Sequence, residues 1–293
     1  MHCRLSLFHP AVAFVYFVFV IGISFFSMQS VFLLISFSSA LLYCLLLKGW
    51  RGVRMNLLLV LPVIIFTIVI NPLFVHQGVT VLFVAFGKPV TLEGVVFGIH
   101  AAFMLSCVVL WFSCFNCVIT PEKLTYLFGR TVPAVSLILS MTLRFVPMYR
   151  RQFRQIMMAQ KGLEPEKQGV FARAKTVMRC LSILTSWALE HSIETSNSMR
   201  ARGYGLPGRT HFSHYRFNVF DALFLSGVVI LAGMVIIGCF LGENQMLFYP
   251  ALVYKPITWF SIAVYIAYAV LTFLPTILFV REEIRWKSYS AKT

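Results

Sequence analysis

Charged residues are scarce in this 293-residue chain, and acidic residues are the scarcest of them. Asp, Glu, Lys and Arg together make up 12% of the sequence, about half of the roughly 25% that is typical of soluble domains. Only 10 residues are acidic, against 25 that are basic, while 59% are hydrophobic and 29 are Phe. This composition excludes an ordinary soluble domain and indicates an integral membrane protein.

The patterns that mark catalytic and phosphate-binding sites are missing as well. The sequence contains no His-Glu-x-x-His, no Gly-x-Ser-x-Gly nucleophile elbow and no Gly-x-x-x-x-Gly-Lys-Ser/Thr loop. Without that last loop, the chain has no ATPase site of its own. We therefore expect a noncatalytic protein that needs no cofactor.

Cysteine and histidine spacings give little support for a metal site. Cys114 and Cys117 have the spacing of a metal or redox pair, but no second pair follows, and a structural zinc ion takes four ligands. His211 and His214 are spaced like ligands but have no acidic or cysteine neighbours. We expect no bound metal ion, and we interpret the cysteines as small apolar residues.

Long hydrophobic runs are what the sequence has in abundance. An α-helix needs roughly 20 apolar residues to cross a bilayer, and it satisfies its own backbone hydrogen bonds there. Six stretches are near that length: 11–27, 29–47, 55–71, 92–115, 219–241 and 258–280. The sequence therefore predicts an all-α integral membrane protein with about six transmembrane helices.

The basic residues are distributed unevenly between these runs. Lys88 and Lys255 are the only two that fall outside the terminal segments, the 48–54 connection and the 116–218 insert. Because Lys and Arg collect on the cytoplasmic side, this distribution predicts a plasma-membrane protein with both termini in the cytoplasm. The net charge of +15 is thus a signal of topology, with contact to anionic membrane lipids, and we expect no nucleic-acid partner.

Three regions follow from this topology. Residues 1–115 hold the first four spans, with an extracellular segment near 71–91 whose run 79–86 is rich in strand formers and predicts a short hairpin. Residues 116–218 form a cytoplasmic domain. Residues 219–293 hold the last two spans and a basic cytoplasmic tail.

The cytoplasmic domain is predicted to contain two long helices, over 134–162 and 170–201. Both helices end in a basic residue followed by Gly, which makes an internal near-repeat. Taken singly, such features are typical of a solvated cationic face, but their occurrence at both helix ends favours docking into a groove of another protein. The residues at the two ends are Ala159, Gln160, Lys161 and Gly162, and Met199, Arg200, Ala201, Arg202 and Gly203.

Together these motifs resemble the transmembrane T component of energy-coupling factor (ECF) ABC transporters, the EcfT-like group that includes cobalt-transport T proteins. The resemblance covers nearly the whole chain, and its most specific element is the end of the second long helix. The matching segments are His9-Pro10, Asn71–Phe74, Thr91–Gly94, Thr120–Leu124, Leu143–Pro147, Ala159-Gln160 and Ser198–Gly205.

The resemblance implies a scaffold that couples ATP hydrolysis on partner proteins to the uptake of a vitamin or a metal ion. In this family two cytoplasmic coupling helices cross, and each carboxy-terminal motif docks in a groove of one of two ABC ATPases. The membrane helices hold a substrate-binding S component. Arg144 and Pro147 would support the coupling helices, although Arg144 is equally typical of a residue that reaches lipid headgroups.

One motif departs from the family pattern. Lys161 stands where the family has Arg, and Lys keeps the charge but lacks the planar fork that binds a carboxylate bidentately. The two coupling ends therefore differ, and we predict that the two partner ATPases form a heterodimer.

Two other functions remain open at this stage. An ion-coupled secondary transporter usually carries carboxylates near mid-membrane, whereas Glu93, Asp221 and Glu243 all fall near span ends. The chain also lacks clear inverted repeats. A membrane anchor for another cytoplasmic complex would share the long helices but would not depend on ATPases.

Overall fold

The computed structural model describes residues 8–75, 78–85, 88–129, 132–163, 169–206, 215, 217–244, 246, 248–249 and 258–290. These residues form eight helices and one two-stranded hairpin, which confirms the all-α class. The elements are α1 (Pro10–Phe26), α2 (Ser30–Phe74), β1 (Val81–Ala85), β2 (Lys88–Thr91), α3 (Leu92–Val118), α4 (Pro121–Gly129), α5 (Pro133–Leu163), α6 (Val170–Ala201), α7 (Val219–Phe240) and α8 (Trp259–Ser290).

The chain divides into two compact units. Met1–Thr120 and Tyr215–Thr293 form the first, here called the membrane unit, and Pro121–His214 form the second, here called the insert unit. Helices α5 and α6 lie within one residue of the long helices predicted over 134–162 and 170–201, which confirms both.

The predicted number of about six spans is wrong. Among the described residues, four helices are long and apolar enough to cross a membrane: α2, α3, α7 and the Trp259–Arg281 part of α8. The predicted spans 29–47 and 55–71 are both contained in α2, and α1, which covers the predicted span 11–27, has only 17 residues. Each predicted span is nevertheless helical in the structure to within one residue at its ends.

A glycine interrupts α2 between the two spans predicted there. The 45 residues of α2 would measure about 68 Å as one straight helix, more than twice the hydrocarbon thickness of a bilayer. Gly49 has φ +67° and ψ −177°, a backbone conformation that glycine adopts without steric cost. The predicted connection 48–54 thus lies inside α2 and contains its non-helical residue.

Polar side chains inside the membrane unit hydrogen-bond to one another. Ser36 Oγ of α2 lies 2.9 Å from Ser24 Oγ of α1 and accepts a 3.0 Å bond from Trp111 Nε1 of α3. Ser24 Oγ also lies 2.9 Å from Tyr268 Oη of α8. All four residues are nearly fully buried. Because such groups find no water in hydrocarbon, this network joins four helices in a defined arrangement.

The hairpin predicted near residues 79–86 is confirmed. Strands β1 and β2 pair antiparallel, with Val81 opposite Thr91 and Ala85 opposite Lys88. Thr91 then caps α3, because its side-chain oxygen accepts a 3.3 Å hydrogen bond from Gly94 N. The hairpin therefore leads directly into a membrane helix.

Candidate functional site

Four aromatic side chains hold α5 against α6 in the insert unit. Phe145 and Tyr149 lie one helical turn apart on α5, and Trp187 and His191 are spaced in the same way on α6. Ring centroids are 6.0 Å apart for Phe145 and His191, and 5.7 Å apart for Tyr149 and Trp187. Within each helix the rings stack, at 5.6 Å and 5.2 Å. We call these four residues the aromatic cluster.

The pairing in the aromatic cluster shows that α5 and α6 run antiparallel. Phe145, the earlier residue on α5, contacts His191, the later residue on α6. Tyr149, the later residue on α5, contacts Trp187, the earlier residue on α6. The carboxy-terminal ends of the two helices therefore point in opposite directions. Lys161 lies 12 residues beyond Tyr149, and Arg202 lies 11 beyond His191, or about 18 Å and about 17 Å of helix.

The end of α6 is closed by a Schellman motif. Gly203 has φ +81°, and its N–H donates a 3.0 Å hydrogen bond to Arg200 O. Tyr204 N donates a 3.1 Å bond to Met199 O, which is the second bond of the motif. Arg202 is the C-cap residue. The backbone around Arg202 is thus fixed by hydrogen bonds inside the chain.

The side chains at this end are available to a partner. Arg200, Ala201 and Arg202 are exposed, and Met199 is half-buried. Tyr204 and Leu206, which follow the helix, are 48% and 69% exposed. Within the part of the chain that the structure describes, no carboxylate forms an ion pair with Arg202. The end of α6 therefore presents a pair of guanidinium groups beside apolar surface.

The end of α5 is built differently. Ala159, Lys161 and Gly162 are exposed and Gln160 is half-buried. The predicted helix over 134–162 has Gly162 as its last residue, and in the structure Gly162 is helical and α5 continues to Leu163. Gly162 also lacks the positive φ of Gly203. The next residues, 164–168, lie outside the described part of the chain.

The predicted supporting residues lie near the aromatic cluster. Arg144 immediately precedes Phe145, and Pro147 lies inside α5 between Phe145 and Tyr149. Both side chains are exposed. Sequence reasoning missed the cluster itself, although the repeated spacing of aromatic residues by four in two neighbouring helices is a signal that could have found it.

Three carboxylates near span ends in the membrane unit, those of Glu93, Asp221 and Glu243, connect neighbouring segments. Glu93 accepts hydrogen bonds from Thr80 Oγ1 at 2.7 Å and Thr80 N at 3.2 Å. Asp221 accepts from Asn218 N at 2.9 Å and from His9 N at 3.2 Å. Glu243 accepts a 2.6 Å bond from Ser261 Oγ. Each of these carboxylates joins two segments at the boundary of a span, and Glu93 does so through Oε1 alone, since its buried Oε2 accepts no hydrogen bond among the described residues.

The His9 side chain caps α1. Its Nδ1 accepts a 3.3 Å hydrogen bond from Ala11 N, which requires an unprotonated nitrogen. Burial lowers the pKa of the His9 imidazole below its ordinary value, and the nearby Asp221 carboxylate acts in the opposite direction. The His-Pro pair at the start of α1 thus has a structural role at the junction of α1 and α7.

Metal-binding residues do not cluster in the described residues. No group of three or more His, Cys, Asp and Glu side chains there is placed to hold an ion. His211 and His214 lie outside the described residues. In the membrane unit, His100 hydrogen-bonds to Ser30 Oγ at 2.9 Å and to Val96 O at 2.8 Å, so both ring nitrogens are occupied within the helix bundle.

Comparison with known families identifies the group to which this arrangement belongs. The family model described as cobalt transport protein, CbiQ, matches residues 6–212. The chain belongs to the CbiQ family. The match includes the aromatic cluster and both helix ends, and it stops before α7. It confirms the resemblance drawn from the sequence motifs.

Curated relatives carry the name energy-coupling factor transporter transmembrane protein EcfT. The protein from Lactobacillus helveticus is 32% identical over 114 residues, which are 38% of this chain and 41% of the relative. The Leuconostoc gelidum protein is 26% identical over 167 residues, which are 53% of this chain and 60% of the relative. The Bacillus subtilis protein is 25% identical over 185 residues, which are 59% of this chain and 69% of the relative. The chain thus spans about two fifths to two thirds of these relatives.

Proposed function

We propose that this CbiQ-family chain is the noncatalytic membrane scaffold of an ECF-type importer. It would couple ATP hydrolysis by two partner ABC ATPases to substrate release by an S component, for uptake of a vitamin or a metal ion. The observation that carries the proposal is the pair of exposed basic helix ends at opposite extremes of one antiparallel helix pair. The names of the EcfT relatives supply the class of transporter.

The antiparallel arrangement favours two partners over one. Each basic end lies about 17–18 Å of helix from the aromatic cluster, on opposite sides of it. With the one turn of helix that the cluster spans, the two ends of straight helices would then be separated by roughly 40 Å, more than the diameter of a small domain. One compact domain cannot easily grip both ends, whereas two ATPase subunits side by side can.

Arg202 is proposed to form the central ion pair at the α6 end. A guanidinium presents its donors in a planar fork that matches a carboxylate in both distance and direction. The Schellman motif at Gly203 fixes the backbone from which Arg202 projects, which limits the entropy lost on binding. Met199, Tyr204 and Leu206 supply neighbouring apolar surface for a groove wall.

The unequal ends support unequal ATPases. The α5 end presents Lys161 on continuing helix, and the α6 end presents Arg202 on a helix that stops one residue earlier. A groove complementary to one end would fit the other poorly in both charge geometry and backbone path. We therefore propose a heterodimer of ATPases, one subunit for each end.

The membrane unit is proposed to hold the S component in the plasma membrane, with both termini in the cytoplasm. The distribution of Lys and Arg supports this orientation. The engagement of Asp221 and Glu243 in hydrogen bonds at helix ends favours a scaffold over an ion-coupled carrier, whose carboxylates must be available to the transported ion.

Co-purification tests the proposal. The tagged chain is extracted in mild detergent, and recovered ABC ATPases are quantified for the wild type, Arg202→Glu and the control Arg151→Glu. The control reverses an exposed charge beside the aromatic cluster, away from both helix ends. We expect ATPases with the wild type and the control, and a loss of at least about 30-fold with Arg202→Glu, the effect of breaking a buried charge pair. Recovery of as much ATPase with Arg202→Glu as with the control variant would rule out the ion pair.

A further inference from the structure

A cleft lies between α1 and α7 in the membrane unit. Its volume is about 430 Å³, within the range of roughly 300–1,000 Å³ that is typical of ligand sites. Val18, Gly22 and Phe26 of α1 and Cys239 and Phe240 of α7 contribute to its walls, with Asn244 beyond the end of α7. Apart from Asn244, these lining side chains are apolar or, at Gly22, absent. The cleft is therefore an apolar groove with one polar residue.

The polar residue lies at one end of the groove. Helices α1 and α7 run in the same direction, because His9 N at the start of α1 bonds to Asp221 in the first turn of α7. At their other ends, Asn244 Nδ2 donates a 3.1 Å hydrogen bond to Phe26 O, and Met28 N donates one of 3.1 Å to Asn244 O. From Phe26 the groove extends back to Val18, a distance of about 12 Å along the helix.

Asn244 carries a hydrogen-bond acceptor without a partner. The residue is 5% exposed, and its Oδ1 accepts no hydrogen bond among the described residues. A buried amide oxygen without a donor is unfavourable, so a donor that reaches it gains affinity from the bond. A donor can reach this oxygen only if flanking side chains move. Phe26 and Phe240 in the lining are 73% and 88% exposed, so their rings are free to move aside.

We propose that this groove binds one membrane phospholipid whose headgroup carries a hydrogen-bond donor. An acyl chain would lie along Val18, Gly22 and Phe26, and a headgroup hydroxyl or ammonium would donate to Asn244 Oδ1. The order of the groove matches the order of a lipid, with the polar atom at the helix ends and the apolar walls toward the membrane interior. Phosphatidylglycerol and phosphatidylethanolamine have such donors, and phosphatidylcholine has none.

Gly22 provides a way to fill the groove without disturbing the helices. A Cβ at this position meets no atom within 4 Å, so the space beside it belongs to the groove. Gly233 of α7 has equally open surroundings but does not line the groove. Gly22→Leu and Gly233→Leu are therefore matched: both add the same side chain to a membrane helix, and only the first occupies the proposed lipid site.

The test measures retained lipid on the full chain. Wild type, Gly22→Leu, Gly233→Leu and Asn244→Leu are reconstituted in bilayers with equal parts of phosphatidylglycerol, phosphatidylethanolamine and phosphatidylcholine, extracted, and examined by native mass spectrometry. We expect one lipid on the wild type and on Gly233→Leu, with about fivefold preference for the two donor lipids, the effect of one hydrogen bond. Gly22→Leu should lose that lipid, and Asn244→Leu should lose the preference.

The proposal would be overturned if Gly22→Leu and Gly233→Leu retained the same amount of lipid. It would also be overturned if the wild type retained the three phospholipids in the equal proportions of the bilayer. A photoactivatable acyl chain provides a second measurement on the unaltered chain in membranes. Labelling confined to 10–26 and 219–244 would support the site. Labelling spread over all helices, or displaced by another membrane protein seated in the groove, would contradict it.

This inference does not depend on the proposed coupling function. Helix α7 and Asn244 lie beyond residues 6–212, the part that matches the family. Arg202→Glu is expected to leave lipid retention unchanged, and Gly22→Leu to leave ATPase recovery from detergent unchanged. The two proposals can therefore fail separately.

Discussion

The membrane unit and the insert unit both expose large apolar side chains, but they differ in how they bury their polar groups. In the membrane unit, Ser24, Ser36, Trp111 and Tyr268 bury their polar groups against one another, and the boundary carboxylates connect helix ends. In the insert unit, large apolar side chains are exposed among the basic residues. Phe171, Met178, Leu189 and Ile193 are 93%, 69%, 63% and 63% exposed.

The contrast indicates where each unit obtains its stability. A membrane unit that exposes apolar residues meets lipid, which solvates them. Exposed apolar surface rimmed by charge is typical of a protein interaction site when it lies outside the membrane. The insert unit buries few described residues, among them Cys180, and relies on the aromatic cluster to keep α5 and α6 together. We expect it to depend on its partners much more than the membrane unit does.

Replacement of one tryptophan by alanine in each unit should give the largest difference in stability between the two units. Trp111 is fully buried and hydrogen-bonded, so Trp111→Ala should destabilise the membrane unit by about 3–5 kcal/mol. Trp187 is half-buried, so Trp187→Ala should cost roughly half as much and act on α5–α6 packing alone. Thermal unfolding in detergent measures the loss of stability in Trp111→Ala and in Trp187→Ala. ATPase recovery reports the effect of Trp187→Ala on α5–α6 packing. Equal losses of thermal stability would contradict the division into two separately stabilised units.

The two glycines of the proposed coupling ends should respond with opposite signs. Gly203 has φ +81°, and an added Cβ would lie 3.2 Å from Leu206 Cδ1, so Gly203→Ala should destabilise the α6 end by about 1–2 kcal/mol. Gly162 is helical with open surroundings, so Gly162→Ala should stabilise α5 by about 0.5–1 kcal/mol. Local amide exchange in the last turns of α5 and α6 measures both. A destabilising Gly162→Ala would show that α5 ends in a motif like that of α6.

Exchange of the basic residues should give a smaller effect. Lys161→Arg combined with Arg202→Lys preserves the charge at each end but moves the bidentate fork to the other helix. We expect each ATPase to bind about three- to tenfold more weakly, the effect of one charge-assisted hydrogen bond. Titration of the separate ATPases onto the reconstituted chain measures this effect. Unchanged affinities would argue against the heterodimer.

Much of this architecture could be predicted from local sequence. Thr120 and Pro121 at a helix start, and the glycines after Arg202, marked the insert correctly, and the strand-forming run from Val79 marked the hairpin. These features depend on residues close together in the chain. The number of spans could not be obtained in this way, since two predicted spans lie within α2 on either side of Gly49, whose backbone is non-helical.

The site was predictable in its residues and not in its arrangement. The motifs at Lys161 and Arg202 are visible in the sequence, but their opposite directions follow from the contacts of Phe145 with His191 and of Tyr149 with Trp187. Those pairs are separated by about forty residues, so no local pattern specifies them. The groove at Asn244 likewise depends on α1 meeting α7 from the far end of the chain.

Site-specific photocrosslinking from both helix ends tests the central claim most directly. A crosslinking residue is placed at Ala159 in one variant, at Ala201 in a second and, as a control, at the exposed Arg151 beside the aromatic cluster. Adducts formed in native membranes are identified by mass spectrometry. We expect adducts with an ABC ATPase from each helix end, with a different ATPase from each, and no ATPase adduct from the control. The same ATPase from both ends would contradict the heterodimer, and no ATPase from either end would contradict the coupling role.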